Sequence, residues 1–325
     1  MNVITHQQGL PLQRPQTLEA QPVPAVTQAE AAPTSPRVWH RASAYVLAVC
    51  GAVWEAVRQR FATLSLSLWL AWSVIAMVLV WALVPGWFSS YDPLVGQAGQ
   101  QLQAPNAAHW LGTDALGRDV WARVVHGAVH SLTGALVAVS LGLVLGTLLG
   151  VLAGTVGGRV DDALMRVVDV LLAVPSLLLS LTIIILLGFG TVNAAIAVGA
   201  ASIATFARLV RAEVVRVRRT EYVEAAFGSG AGLLAVLWRH ILPNSLTSVA
   251  ALAALQFGSA ILAIATLGFL GYGAPPPTPE WGLLIAEGRN YLATAWWLTT
   301  VPGLVVVAVV LSVNRISVAL SGGHV

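Results

Sequence analysis

Between Leu64 and Val84 the chain reads LSLSLWLAWSVIAMVLVWALV, without a charged residue. In hydrocarbon such a segment is confined to a helix, which satisfies every backbone N–H and C=O internally. About 20 apolar residues suffice to cross a ~30 Å hydrocarbon core. Five more runs have that length, at about 131–156, 165–188, 192–210, 246–270 and 295–320. They are continuously apolar rather than alternating, which argues against a β-barrel. The expected fold class is all-α, a polytopic helical membrane protein with six transmembrane helices. Composition agrees. Only 10% of the 325 residues are charged and 57% are hydrophobic, whereas a soluble domain carries about 25% charged residues.

All 17 basic residues are arginine. A nucleotide-binding P-loop needs a lysine on the β/γ-phosphates, so any ATP that drives this chain is expected on another chain. Cys50 is the sole cysteine, which excludes an intrachain disulfide and a thiolate metal cluster. His126 and His130 are four residues apart but lack the glutamate of a helical zinc motif. No metal, no cofactor bound by this chain, no catalytic constellation and no nucleic-acid partner are expected.

Residues 1–62 are expected as a cytoplasmic tail, rich in Pro, Gln and Ala over its first forty residues. A short apolar stretch at 43–57 suits a helix lying in the membrane plane. Residues 63–126 would hold the first span and a long external segment, 127–318 a core of five spans, and 319–325 a short cytoplasmic tail. Placing both termini in the cytoplasm puts fourteen arginines inside and leaves only Arg118, Arg123 and Arg289 outside, the bias expected at the inner face. The external segments are then 89–130 and 271–294, and the longest inner loop spans 211–245.

That loop contains EYVEAAFGSGAGLLAVLWRHILPN, Glu221–Asn244. Glu221–Phe227 suits one or two helical turns, with Ala225 and Ala226 allowing close approach. Gly228, Gly230 and Gly232 permit a sharp corner. Leu233–Leu242 resumes an apolar helix, and Pro243 suits its end or a kink into the fifth span. Five arginines from Arg208 to Arg219 precede the loop and suit an anionic leaflet. A plain solvated hairpin and a docking element are both compatible with these residues.

Glu224-Ala225-Ala226, then Gly230, then Leu242-Pro243 resembles the EAA loop of ABC-importer permeases, with His240 where an isoleucine is usual. EYVEAA…RHILPN is similar to the dipeptide/oligopeptide/nickel branch. Three further blocks resemble that branch in the same order: HWLGTDALGRDVWARVVHG (His109–Gly127), GGRVDDALMRVVDVLLAVPSLLL (Gly157–Leu179) and ATLGFLGYGAPPPTPEWGLLIAEGRNYL (Ala265–Leu292). Together they cover roughly 105–318, and the match is to the second permease subunit of such systems. The glycine-rich FGSGAG and the ending NRISVALSGGHV depart from the family pattern.

The resemblance implies a type I ABC importer permease fold in the bacterial inner membrane. It implies half of a translocation pathway for peptides or related small solutes. The implied partners are a homologous permease, two ATPase subunits carrying ATP and Mg, an extracytoplasmic solute-binding protein and membrane lipid. Glu221, Glu224, Ala225, Ala226, Gly230, His240, Leu242 and Pro243 would then form the ATPase-coupling element.

Other residues invite two readings each. Gly112, Asp114, Gly117, Arg118 and Asp119 of the first external segment, with Glu280 and Trp281 of the second, suit either contact with a binding protein or folding of the segments onto the pathway mouth, and the glycines of GTDALGRD favour a structured turn and the folding role there. Asp169 is expected to pair with Arg166 near the inner interface, in preference to a substrate contact. Gln256 and Asn193 suit a polar path or a helix bridge. The rival function is a secondary transporter without ATPase partners, which favours paired broken spans and functional intramembrane charges. Asp169 is the one candidate charge for it.

Overall fold

The structure, a computed structural model, describes residues 65–321, with the side chain of Leu246 left out. The tail at 1–62, the in-plane helix expected at 43–57 and residues 322–325 lie outside the described residues. Within 65–321 the chain is helical, and its one β-type contact is an isolated bridge between Thr113 and Asp119.

Five described helices are long and apolar enough to cross a membrane. They are α1 (Leu66–Leu83), α2 (Val120–Val156), α5 (Thr191–Arg218), α8 (Leu242–Phe269) and α10 (Trp297–Leu320). The run expected as one straight third span, 165–188, is instead two helices, α3 (Gly158–Ala173) and α4 (Ser176–Leu187), bent by 94°. The cause lies in the sequence. Pro175 has no N–H to continue a helix, and Val174 before it is extended at φ −86°, ψ 130°. At 1.5 Å per residue α4 is only about 18 Å long, too short to cross a ~30 Å core alone.

The second helix begins well before the expected 131. Its N-cap Asp119 accepts a hydrogen bond from the Ala122 N–H at 2.7 Å, and the helix runs on for about 55 Å. The boundary expected between 126 and 127 therefore falls inside this helix, about two turns from its start. α2 packs along α5 through Gly142, Gly146, Gly150 and Gly154, spaced four apart on one face. A Cβ on Gly146 would stand 2.4 Å from Phe206 Cβ and 2.7 Å from the Ile203 carbonyl oxygen. Without a hydrophobic drive between helices in lipid, this close backbone approach supplies the packing.

The main core joins α2, α5, α8 and α10 through side chains such as Val124, Ala138, Ala197, Phe206, Ile261 and Val309. α1 leans on α10 through Leu68, Ala71 and Ile316. Arg315 also donates to Ser67 Oγ at 3.1 Å and Ser65 Oγ at 3.0 Å. Outside the core, α1, α4 and α10 present exposed Leu66, Leu186 and Leu311, as expected of surfaces that meet lipid or other membrane helices.

Candidate functional site

At one end of the bundle the segment 85–119 and the stretch 271–296 are locked together. Gly112 and Gly117 hold left-handed conformations at φ +72° and +75°. They close tight turns against the backbone of Gln103 and Gln97, leaving no space for a Cβ. These turns direct Asp114 inward. Its Oδ1 accepts from the Leu116 and Arg118 N–H groups at 2.9 Å each. Its Oδ2 accepts from Arg118 Nε and Arg123 Nη1 at 2.6 Å each. Glu287, 164 residues away in sequence, accepts from the same Arg123 Nη1 at 2.8 Å and from Arg118 Nη2 at 3.2 Å. Burial alone would raise the Asp114 pKa. The Arg118 N–H and the two guanidiniums outweigh it and hold the carboxyl below its usual range.

Asp119 adds a second tie. While its Oδ1 caps α2, its Oδ2 lies 2.8 Å from Nδ1 of buried His109, whose Nε2 is 2.7 Å from Gln100 Oε1. Glu280 and Trp281 form a third. Glu280 is 1% exposed and N-caps α9 (Trp281–Gly288) by accepting from the Gly282 and Leu283 N–H groups at 2.9 and 3.0 Å. Ser131 of α2 donates to it at 3.4 Å, and the fully buried Trp281 donates its indole N–H to the Val124 carbonyl at 3.0 Å. Burial pushes the Glu280 carboxyl up, partly offset by these donors. All seven external residues singled out in the sequence are thus internal fasteners, and the charged ones are buried. Arg123 and Glu287 complete the Asp114 network, and His109 completes the Asp119 tie. Sequence reasoning missed them as partners, and the signal present was an arginine inside an apolar helix face.

At the opposite end, α5 runs into α6 (Glu221–Gly228), a corner, α7 (Leu233–Val236), a π-helical turn (Leu237–Ile241) and then α8. Gly230 sits at the corner with φ +88° and open space around it. The π turn meets the missing N–H of Pro243 at the start of α8, and the Leu242 N–H reaches back to the Leu237 carbonyl. Val223, Val236 and Ile241 bury themselves against Val210, Val214 and Val217 of α5, so the arm is packed onto two spans. Its other face carries Glu221, Glu224 and Ala225 exposed to solvent, with Ala226 half-buried and Pro243 exposed. His240 faces the Tyr222 ring at 6.1 Å between centroids. Leu234 and Trp238, each 70% exposed, add an apolar surface that sequence reasoning did not single out.

The arginines before the arm mostly point back into the chain. Arg211 forks onto Asp161 at 3.1 and 2.5 Å, Arg216 holds Glu213, and Arg218 donates to the Thr155 carbonyl at 2.6 Å. Asp169 pairs with Arg208 of α5 rather than with Arg166 of its own helix. The bend at Pro175 lays α3 beside the base of α5, where a cross-helix partner is nearer than the one three residues away. Asn193 caps the α4 end by donating to the Leu187 and Gly188 carbonyls at 3.1 Å each. His126 lies with Nδ1 2.9 Å from the Ala122 carbonyl. Among the described residues no cluster of His, Cys, Asp or Glu is placed to hold a metal ion.

Residues 146–322 match the family model described as "Binding-protein-dependent transport system inner membrane component". The chain is 44% identical over 247 residues to the dipeptide transport system permease protein DppC of Escherichia coli K12, covering 74% of this chain and 82% of that one. It is 41% identical over 244 residues to the di/tripeptide transport system permease protein DppC of Pseudomonas aeruginosa UCBPP-PA14, covering 73% and 80%. A probable D,D-dipeptide transport system permease protein, DdpC of Escherichia coli K12, is 39% identical over 241 residues, covering 74% and 81%.

Proposed function

The chain belongs to the family of binding-protein-dependent transport system inner membrane components, and from that premise we propose that it is a permease subunit of an ATP-driven importer of small peptides. The relatives named for dipeptide or di/tripeptide transport match over about three-quarters of the chain, and they support the substrate class. In this reading the chain pairs with a homologous permease and receives solute from an extracytoplasmic binding protein. ATP and Mg sit on two separate ATPase subunits, since a chain without lysine cannot supply the P-loop. In this reading both termini and the loop at 211–245 face the cytoplasm, and the arginine bias supports that orientation.

The observation that carries the coupling is the arm itself. Its inner face is fused by apolar packing to α5 and to the start of α8, so a push on the arm moves spans rather than a loose loop. The arm also offers exposed carboxylates at Glu221 and Glu224 and exposed apolar side chains at Leu234 and Trp238. Anchors of that kind suit a groove on a partner protein. Closure of the two ATPases would move the arm as a rigid body and shift the spans between states. Docking drives transport to the extent that its free energy differs between those states.

Reconstitution with its partner subunits in proteoliposomes tests this function. Dipeptide uptake is expected to require ATP and the binding protein and to survive a proton ionophore. Uptake that persists without ATP and collapses with the ionophore would replace this reading with a secondary transporter.

A further inference from the structure

A groove of about 400 Å³ runs between α4, α5 and α8 at the depth of the apolar spans. Its lining carries no charge and sets hydroxyl and amide groups among apolar side chains such as Leu177, Val198 and Leu262. Ser176 and Ser180 project from one face of α4, and Ser202 and Thr205 from one face of α5. Gln256, Ser259 and Thr266 form a single stripe on α8, three and seven residues apart. Three helices thus turn their hydroxyl and amide stripes toward one space, a costly arrangement against lipid tails.

The hydrogen bonding separates these groups into two kinds. Ser180 is buried and shares its proton between the Ser176 carbonyl at 2.9 Å and the Ala197 carbonyl of α5 at 3.5 Å, whereas Ser202, Ser259 and Thr266 donate to carbonyls one turn back on their own helices, at 3.0, 3.3 and 2.7 Å, and face the groove. These three hydroxyls keep lone pairs free to accept from the groove. The side chains of Gln256 and Thr205 make no hydrogen bond with any described residue. An unpartnered amide at membrane depth calls for water, solute or another chain. Two of those roles are met at once by an aqueous route.

We propose that this groove is the chain's wall of the translocation route, and that it passes peptides by their backbone rather than by their side chains. The inference rests on the peptide-importer reading above. Acceptor hydroxyls suit the ammonium and amide N–H groups that all peptides share, and the Gln256 amide offers donors to the carboxylate. An absence of charge among the lining residues avoids a deep well for either sign of side chain. Conduction needs many weak sites rather than one strong one.

The test uses the assembled transporter in membranes with Cys50→Ser as background. Ser259→Cys and Thr205→Cys are expected to react with a charged, membrane-impermeant thiosulfonate, to lose uptake on reaction, and to be shielded by saturating dipeptide. Leu311→Cys, on an exposed apolar face of α10, is expected to stay unreacted. Gln256→Glu and Gln256→Arg are then compared on lysine- and glutamate-containing dipeptides. Their uptake ratios are expected to diverge in opposite directions, about tenfold apart. Inert cysteines at both groove positions would overturn the proposal, showing a groove covered by a helix or by lipid. An equal loss for both dipeptides in both charge variants would also overturn it. Reactive cysteines in an assembly whose wild type imports neither dipeptide would leave the route standing and remove the peptide reading beneath it.

Discussion

Asp114 accepts four hydrogen bonds, two from guanidiniums, in a site almost closed to solvent. Removing one member of a buried charge pair costs roughly 3–5 kcal/mol. Glu287 remains as a counter-charge to both arginines, so Asp114→Asn is expected near the lower end, at about 3 kcal/mol. Thermal unfolding in detergent measures it. Because the folded pKa is depressed, the stabilisation is complete above the ordinary value of 3.8 and is lost as pH falls through the depressed value. The gap between wild type and Asp114→Asn should therefore persist at neutral pH and close only in strong acid. Glu280 has the opposite sign. Its folded pKa is raised, so the contribution of its protonated form is present at low pH and fades as pH rises. The stability advantage of wild type over Glu280→Gln should shrink as pH rises above the ordinary glutamate value of 4.5. At this scale the glycine-flanked turn around Asp114 was legible, because GTDALGRD announces a structured corner. The Arg123–Glu287 contact was not. It joins residues far apart in sequence, and no local pattern marks which carboxylate an arginine will meet.

Among the elements, the α2–α5 contact depends on the absence of side chains. Gly146→Ala would force a Cβ to 2.4 Å from Phe206 Cβ, an overpacking that costs about 1–3 kcal/mol. Gly303→Ala on α10 meets nothing within 4 Å and should be neutral or stabilising by up to about 1 kcal/mol through helix propensity. Comparing the two variants by thermal unfolding separates close packing from propensity. Asp169→Asn breaks a pair whose side chains are more than half exposed, so it should change stability little. Five spans were legible from continuous apolar runs. The break in the third was written in the sequence as Val174-Pro175, but hydropathy summed over a window does not register one missing N–H. The partner of Asp169 followed from that missed bend. A straight span leaves Arg166 as the neighbour at hand, whereas the bent one brings Arg208 close.

For the whole molecule, the exposed apolar faces of α1, α4 and α10 and the uncharged groove between α4, α5 and α8 describe a subunit made to be covered by lipid and by other chains. The arm between α5 and α8 is the proposed point at which ATP-driven motion enters. Its EAA pattern was legible because the corner glycine and the closing Leu-Pro are local features. Its rigid packing through Val223, Val236 and Ile241 was not, because those side chains are interleaved with exposed ones in a short, glycine-broken stretch. The most direct test of the coupling claim is a tagged pull-down from gently solubilised membranes, comparing wild type with Glu224→Arg. Glu224 is exposed and reverses charge without disturbing the buried cluster. The account predicts that wild type brings down a second permease and the ATPase subunits, and that the variant keeps the permease and loses the ATPase. Equal ATPase recovery with both proteins, accompanied by equal uptake, would contradict it.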